Sequence, residues 1–296
     1  MRLDASLYPF EGRYLTRGAH RLHYLDEGEG PTVVMVHGNP SWSFYYRNLV
    51  QSLRATHRCI VPDHIGCGLS DKPVDADYDY TLESRIDDLD ALLEAVAPSG
   101  PVTLVVHDWG GAIGMGWAVR HPERVERIVV LNTGAFPNPK DQRLPFTLWL
   151  IRNTFLGPLL VRGFNAFSAG ATRMAVKKPM EKAVRVAYEA PYDSWRNRIA
   201  TLRFVQDIPL GPKDPAFSVI NSVADGLSSL REKPMLICWG EGDFVFDGAF
   251  LAEWETRFPA AEIVRYPKAG HYVLEDAGDD IIPRVQRFLG IRPGEA

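Results

Sequence analysis

Six short stretches of this chain are apolar almost without interruption and rich in β-branched residues. They are TVVMVHG at 32–38, CIVPD at 59–63, VTLVVHD at 102–108, RIVVLNT at 127–133, MLICWGEGD at 235–243 and EIVRY at 262–266. A strand with one face in water alternates apolar and polar residues, whereas a continuous run belongs to a strand covered on both faces. Between the runs lie segments of helical period, such as 81–97, where Leu82, Ile86, Leu89, Leu92 and Leu93 fall on one side. Strands alternating with helices predict a mostly parallel sheet with helices on both faces. Two alternating segments around Gly18, at 12–17 and 20–25, predict an antiparallel hairpin, which brings the expected sheet to eight strands. Ser41 and Gly111 are the expected helix starts after the first and third runs.

One stretch interrupts the alternation. From Pro137 to Pro215 no strand-like run occurs, and Pro137, Pro139, Pro209 and Pro212 bracket helical segments like hinges. The expected organisation is a main domain of 1–136 and 216–296, with 137–215 as a helical cap over the strand ends. A chain of 296 residues buries a core of this size without staples. Cys59, Cys67 and Cys238 cannot all pair and show no C-x-x-C spacing, which fits free thiols in a reducing compartment. The opening MRLDASLYPF lacks the apolar core of a secretory signal, and no uncharged apolar run reaches the length of a membrane span. The expected location is cytoplasmic. A net charge of −4 without a basic block argues against nucleic acid as partner.

Open α/β sheets bind ligands at the carboxyl ends of their strands. There the chain places His37-Gly38-Asn39-Pro40, Asp63-His64, His107-Asp108-Trp109-Gly110-Gly111, Asn132, Asp243 and Ala269-Gly270-His271. The third string is the most telling, because a buried strand ends in V-H-D-W-G-G and turns at once into a helix. Such an elbow needs small neighbours and exposes one side chain, here Asp108. The simpler alternative is an Asp that caps the helix. A carboxylate is ionised at neutral pH and needs no base to activate it, so it suits attack on an sp³ carbon. The ester so formed is opened by a water that a histidine activates. No His spacing of metal-ligand type occurs, and the chemistry calls for no metal or cofactor. His37 and His107 are expected to hydrogen-bond around the elbow, and His20 and His23 to lie on the surface.

HGNPSWSFYYR at 37–47, DHIGCGLSDKP at 63–73, VVHDWGGAIG at 105–114 and WGEGD with AGHYVLED within 239–276 occur together in this order. With these motifs the chain resembles the α/β-hydrolase fold over its whole length, and within it the haloalkane dehalogenases. The resemblance implies Asp108 as nucleophile, His271 as base and a third carboxylate that orients it. Some members carry that acid after the sixth strand, where this chain has Asn132; Asp243 matches the others, with Glu241 and Asp247 as nearby competitors. It further implies that the Trp109 indole and the Asn39 amide bind the departing halide. The backbone N–H groups of Asn39 and Trp109 are the expected oxyanion hole. The function so implied is a haloalkane dehalogenase-type hydrolase, acting on a small apolar substrate with water.

The cap narrows the resemblance. GFNAFSAGA and RVAYEAPYDSWRNRIATLRFVQDIPL (185–210) are similar to the third dehalogenase subfamily and to the β-lactone decarboxylases of bacterial hydrocarbon biosynthesis. Those enzymes convert a long-chain β-lactone to an olefin and CO₂ within a multienzyme assembly, so the alternative activity is a lyase and the alternative partners are pathway enzymes or further copies of the chain. Phe146, Leu148, Trp149, Leu150, Phe155, Phe164 and Phe167 are expected to roof the pocket or to form the cap's own core. An epoxide hydrolase needs two cap tyrosines, for which Tyr188 and Tyr192 are the candidates. A non-catalytic binding protein is the remaining alternative.

Overall fold

The structure, a computed structural model, describes residues 4–139, 142 and 144–292. Among these residues eight strands form one sheet in the order β1-β2-β4-β3-β5-β6-β7-β8. They are β1 (Arg13–Arg17), β2 (His20–Glu27), β3 (Thr32–Val36), β4 (Arg58–Pro62), β5 (Val102–Asp108), β6 (Val125–Thr133), β7 (Met235–Gly240) and β8 (Glu262–Tyr266). The hairpin β1-β2 and the β2-β4 pair are antiparallel, and every other pairing is parallel.

Five of the six apolar runs are buried on both sides, as their composition requires; the sixth, EIVRY of β8, lies at the sheet edge and is only partly covered, because no strand among the described residues pairs beyond it. Val34, Val36, Leu104, Val106, Ile128 and Val130 belong to one core. Their sequence neighbours Val33, Met35, Val105, Val129 and Leu131 belong to the other. Helices α2 (Leu82–Val96), α3 (Trp109–Arg120), α9 (Pro215–Gly226) and α10 (Gly248–Arg257) cover the first face. Helices α1 (Arg47–Leu53) and α11 (Val273–Phe288) cover the second. Between β6 and α9, α4 (Phe146–Asn153), α5 (Leu156–Pro158), α6 (Ala166–Met174), α7 (Lys182–Glu189) and α8 (Ile199–Gln206) follow one another, with no strand among the described residues. Leu148, Ile151, Val161, Leu202 and Val205 give them a small core of their own.

The chain passes from β3 to β4 on one side and then returns to β5 on the other. That reversal opens a crevice beyond the ends of β3 and β5, where ligands bind in such sheets. Three local expectations differ from the structure. The helix after β3 begins as a 3₁₀ turn over Ser43–Tyr46, because the Ser41 hydroxyl turns back to the Gly38 carbonyl instead of capping. Helix α3 starts at Trp109, two residues before Gly111, since the chain turns helical directly after Asp108. His23 is buried, not on the surface: β4 covers the far edge of β2, and the imidazole Nδ1 lies 2.8 Å from an Asp63 carboxylate oxygen.

Candidate active site

Asp108 closes β5 with φ 53° and ψ −129°, a left-handed conformation that a non-glycine residue adopts only under constraint. The constraint comes from its surroundings. Its carbonyl accepts a hydrogen bond from the Thr133 hydroxyl at the end of β6. A side chain at Gly110 would strike the Val36 carbonyl, and one at Gly38 would strike the Asp108 carboxylate itself. Glycine at both positions lets the elbow fold tightly against β3. Asp108 sits where a helix cap would, yet its side chain makes no cap hydrogen bond. Its Oδ1 accepts the Asn39 backbone N–H at 2.5 Å, and its Oδ2 lies 3.5 Å from His271 Nε2.

The other face of the imidazole is held as firmly. His271 Nδ1 lies 2.8 Å from Asp243 Oδ2. Asp243 is fixed in turn by the backbone N–H groups of Val245 and Phe246 at 2.7 and 3.2 Å on Oδ1, and by the Asn132 amide at 3.0 Å on Oδ2. The competing acids are occupied elsewhere: Glu241 pairs with Arg265 at the surface, and Asp247 caps α10 through Ala249 N–H. His107 Nε2–H donates to the His271 carbonyl, 2.9 Å away, and burial pushes the His107 pKa down to about 3. A neutral His107 therefore orients the loop without adding charge. The Phe246 ring stacks on the His271 ring with centroids 5.8 Å apart.

Burial disfavours a charged His271, but the Asp243 and Asp108 carboxylates outweigh it and push its pKa up to about 10. Burial likewise disfavours charge on Asp108, and His271 outweighs it, holding the carboxyl below its usual range. The arrangement is an imidazolium between two carboxylates. Converting Asp108 to an ester would remove one of those charges, lower the histidine's pKa and make Nε2 a proton acceptor. The site can thus support both attack by Asp108 and a later base step.

Above the carboxylate lies a cavity of about 390 Å³, lined by Asp108, Trp109, Asn39 and His271 from below and by Phe146, Leu150 and Phe167 among others from above. Leu148 also lines it, but Trp149, Phe155 and Phe164, expected with the roof, are exposed and take no part. Trp109 packs on Phe204 of α8, ring centroids 5.4 Å apart. The Asn39 amide, expected to face the leaving group, donates to the Thr201 carbonyl of α8 at 3.1 Å. Tyr188 and Tyr192 are buried away from the cavity, donating to Glu275 and to the Ser41 carbonyl. Neither phenol lines the cavity, so these two do not supply the pair that the epoxide hydrolase alternative requires. Asn132 is the contributor that sequence reasoning missed. Its place at the end of β6, where some relatives carry the acid, was the available signal, and here it anchors both Asp243 and the Gly240 backbone. No group of three or more potential metal ligands gathers among the described residues.

Residues 31–278 match the model of the α/β hydrolase fold, and the chain belongs to that family. It is similar to the cis-3-alkyl-4-alkyloxetan-2-one decarboxylase of Shewanella oneidensis, 57% identical over 285 residues that cover 96% of this chain and 90% of that one. It is also similar to haloalkane dehalogenase 2 of Mycobacterium bovis, 31% identical over 302 residues that cover 96% and 97%. Among solved structures, a haloalkane dehalogenase of Agrobacterium tumefaciens shares the fold with a TM-score of 0.85 at 24% identity, covering 97% of this chain and 99% of that one.

Proposed function

We propose that this protein is a β-lactone decarboxylase acting on cis-3,4-dialkyl oxetan-2-ones, with Asp108 as nucleophile, His271 as its cationic partner and Asp243 as the acid that orients His271. The observation that carries this reading is the 57% identity to a decarboxylase of that name across nearly the whole chain, against 31% to a dehalogenase. It reverses the order of preference that the motifs alone favour. In the proposed cycle the Asp108 carboxylate attacks the ring carbon that bears the ring oxygen, and the carbon–oxygen bond breaks. The leaving carboxylate stays tethered to the neighbouring carbon. Loss of CO₂ from that carbon forms the double bond, and its electron pair expels Asp108 unchanged. No oxidant, water or net proton enters. Inversion at the attacked carbon followed by anti elimination gives a cis olefin from a cis lactone.

The residues suit this chemistry without a hydrolytic step. The His271 cation, close to Asp108, balances the negative charge that moves between nucleophile and leaving carboxylate. Residues 137–215 act as the cap and 1–136 with 216–296 as the main domain, so that the apolar cavity between them receives the alkyl chains. Dehalogenation is retained as a slow side activity, supported by Trp109 beside the nucleophile. Purified protein given a synthetic cis-3,4-dialkyl oxetan-2-one is expected to release cis olefin and CO₂ in equal amounts, and Asp108→Asn to release neither. Halide release from 1-iodobutane without any olefin from the lactone would return the protein to the hydrolases.

A further inference from the structure

Charge is unevenly spread along this chain. Residues 137–215 carry thirteen Lys and Arg against six Asp and Glu, while the remainder carries twenty against thirty-one. A segment of net charge +7 thus sits on a body of −11. The same segment holds ten of the thirteen large apolar side chains exposed among the described residues. Single exposed apolar residues are ordinary, but their concentration in one segment marks an interaction surface. Phe155 is 87% and Phe164 71% exposed.

The two characters meet at the mouth of the cavity. Phe146, Met174 and Phe244 line the cavity and yet are exposed, so they form its outer rim. Exposed Arg173 precedes Met174, and Lys177 runs close against Gly242, two residues before Phe244. On the same segment Arg162 lies over the exposed Trp195 ring at 4.7 Å. Outward aromatics interleaved with cations are the composition of a surface that rests in a bilayer interface: apolar groups enter the acyl layer while cations meet anionic headgroups.

We propose that this face of 137–215 seats the protein on an anionic lipid bilayer, with the mouth of the cavity inside the contact zone. The rim favours lipid over a protein partner, because a protein seated there would seal the mouth, whereas a bilayer lets an apolar solute enter without crossing water. The proposal rests on the surface and not on the lactone chemistry, so either can fail alone.

Vesicle flotation of the full-length protein tests it, with phosphatidylcholine alone and with an equimolar mixture of phosphatidylcholine and phosphatidylglycerol. The protein is expected to float with the anionic vesicles, weakly with the neutral ones, and less as salt is raised. Lys178→Gln and Lys182→Gln, both at exposed positions outside the cavity lining, are expected to lower the partition coefficient by roughly fivefold each. Phe155→Ser with Phe164→Ser is expected to lower it by roughly tenfold, with the thermal unfolding profile unchanged. The lysine variants keep the test decisive if the phenylalanine variant proves unstable. No flotation with either vesicle, or equal flotation of wild type and variants, would overturn the proposal. So would a concentration-dependent dimer, seen by size exclusion and dissolved by the phenylalanine pair, in protein that ignores vesicles.

Discussion

His271 lies between two carboxylates, 2.8 Å from Asp243 and 3.5 Å from Asp108, and the two candidate chemistries make different demands on its charge state. Its folded-state pKa of about 10 lies above the ordinary value of 6.5. A raised pKa stabilises the fold where the cation exists in both states, so this contribution is complete below pH 6.5 and is lost as pH rises through about 10. The urea midpoint of the wild type is therefore expected to fall more between pH 7 and pH 10 than that of His271→Gln; equal falls would show that the imidazolium is not what the two carboxylates stabilise. Asp243→Asn separates the two activities. Hydrolysis needs His271 as a base, and the variant is expected to lose up to about 10⁴-fold in halide release. The lactone cycle transfers no proton, so olefin formation is expected to fall by only about 10- to 100-fold, the scale of one electrostatic contact. Equal losses in both assays, on one preparation, would mean that His271 serves as a base in each.

The elbow is a property of elements in contact, and glycine makes the contact possible. At Gly110 a methyl group would meet the Val36 backbone, which cannot swing aside as a side chain can. Gly110→Ala is expected to cost about 1–3 kcal/mol in urea unfolding and to displace Asp108. Gly278 of α11 is the control: only the flexible end of Ile282 lies within reach, at 3.9 Å. Gly278→Ala is expected to stabilise by about 0.5–1 kcal/mol. At this scale the sequence was easy to read where a pattern is continuous. The six apolar runs become the six parallel strands, and 81–97 becomes α2 with Thr81 accepting a cap bond from Ser84 N–H. It misled where a distant partner decides the outcome. His23 is polar and lies in a hairpin, but Asp63, forty positions on, makes its burial favourable. Asn132 looked like a missing acid, and only its contacts with Asp243 and Gly240 across β6 and β7 give it a positioning role.

For the whole molecule, the fold and the residues gathered around Asp108 were legible because each motif falls at a strand end, where the sheet brings strand ends together. The substrate was not. The proposed site residues do not by themselves separate a haloalkane from a β-lactone, and the segment 144–215 is helical, with Phe146 and Phe167 lining the cavity while Phe155 and Phe164 are exposed on the same stretch. Apolar residues of one composition serve as lining, core and surface there, and no periodicity separates the three uses. The two chemistries differ in what happens to Asp108. Hydrolysis brings a water oxygen into its carboxylate at every turnover, whereas decarboxylation returns the carboxylate with its own oxygens. Mass spectrometry of the peptide containing Asp108, after many turnovers of cis-lactone in ¹⁸O-enriched water, tests this directly. Olefin in the extract and an unlabelled Asp108 are the expected result. An Asp108 carrying ¹⁸O, or a lactone consumed without olefin, would contradict the proposed cycle.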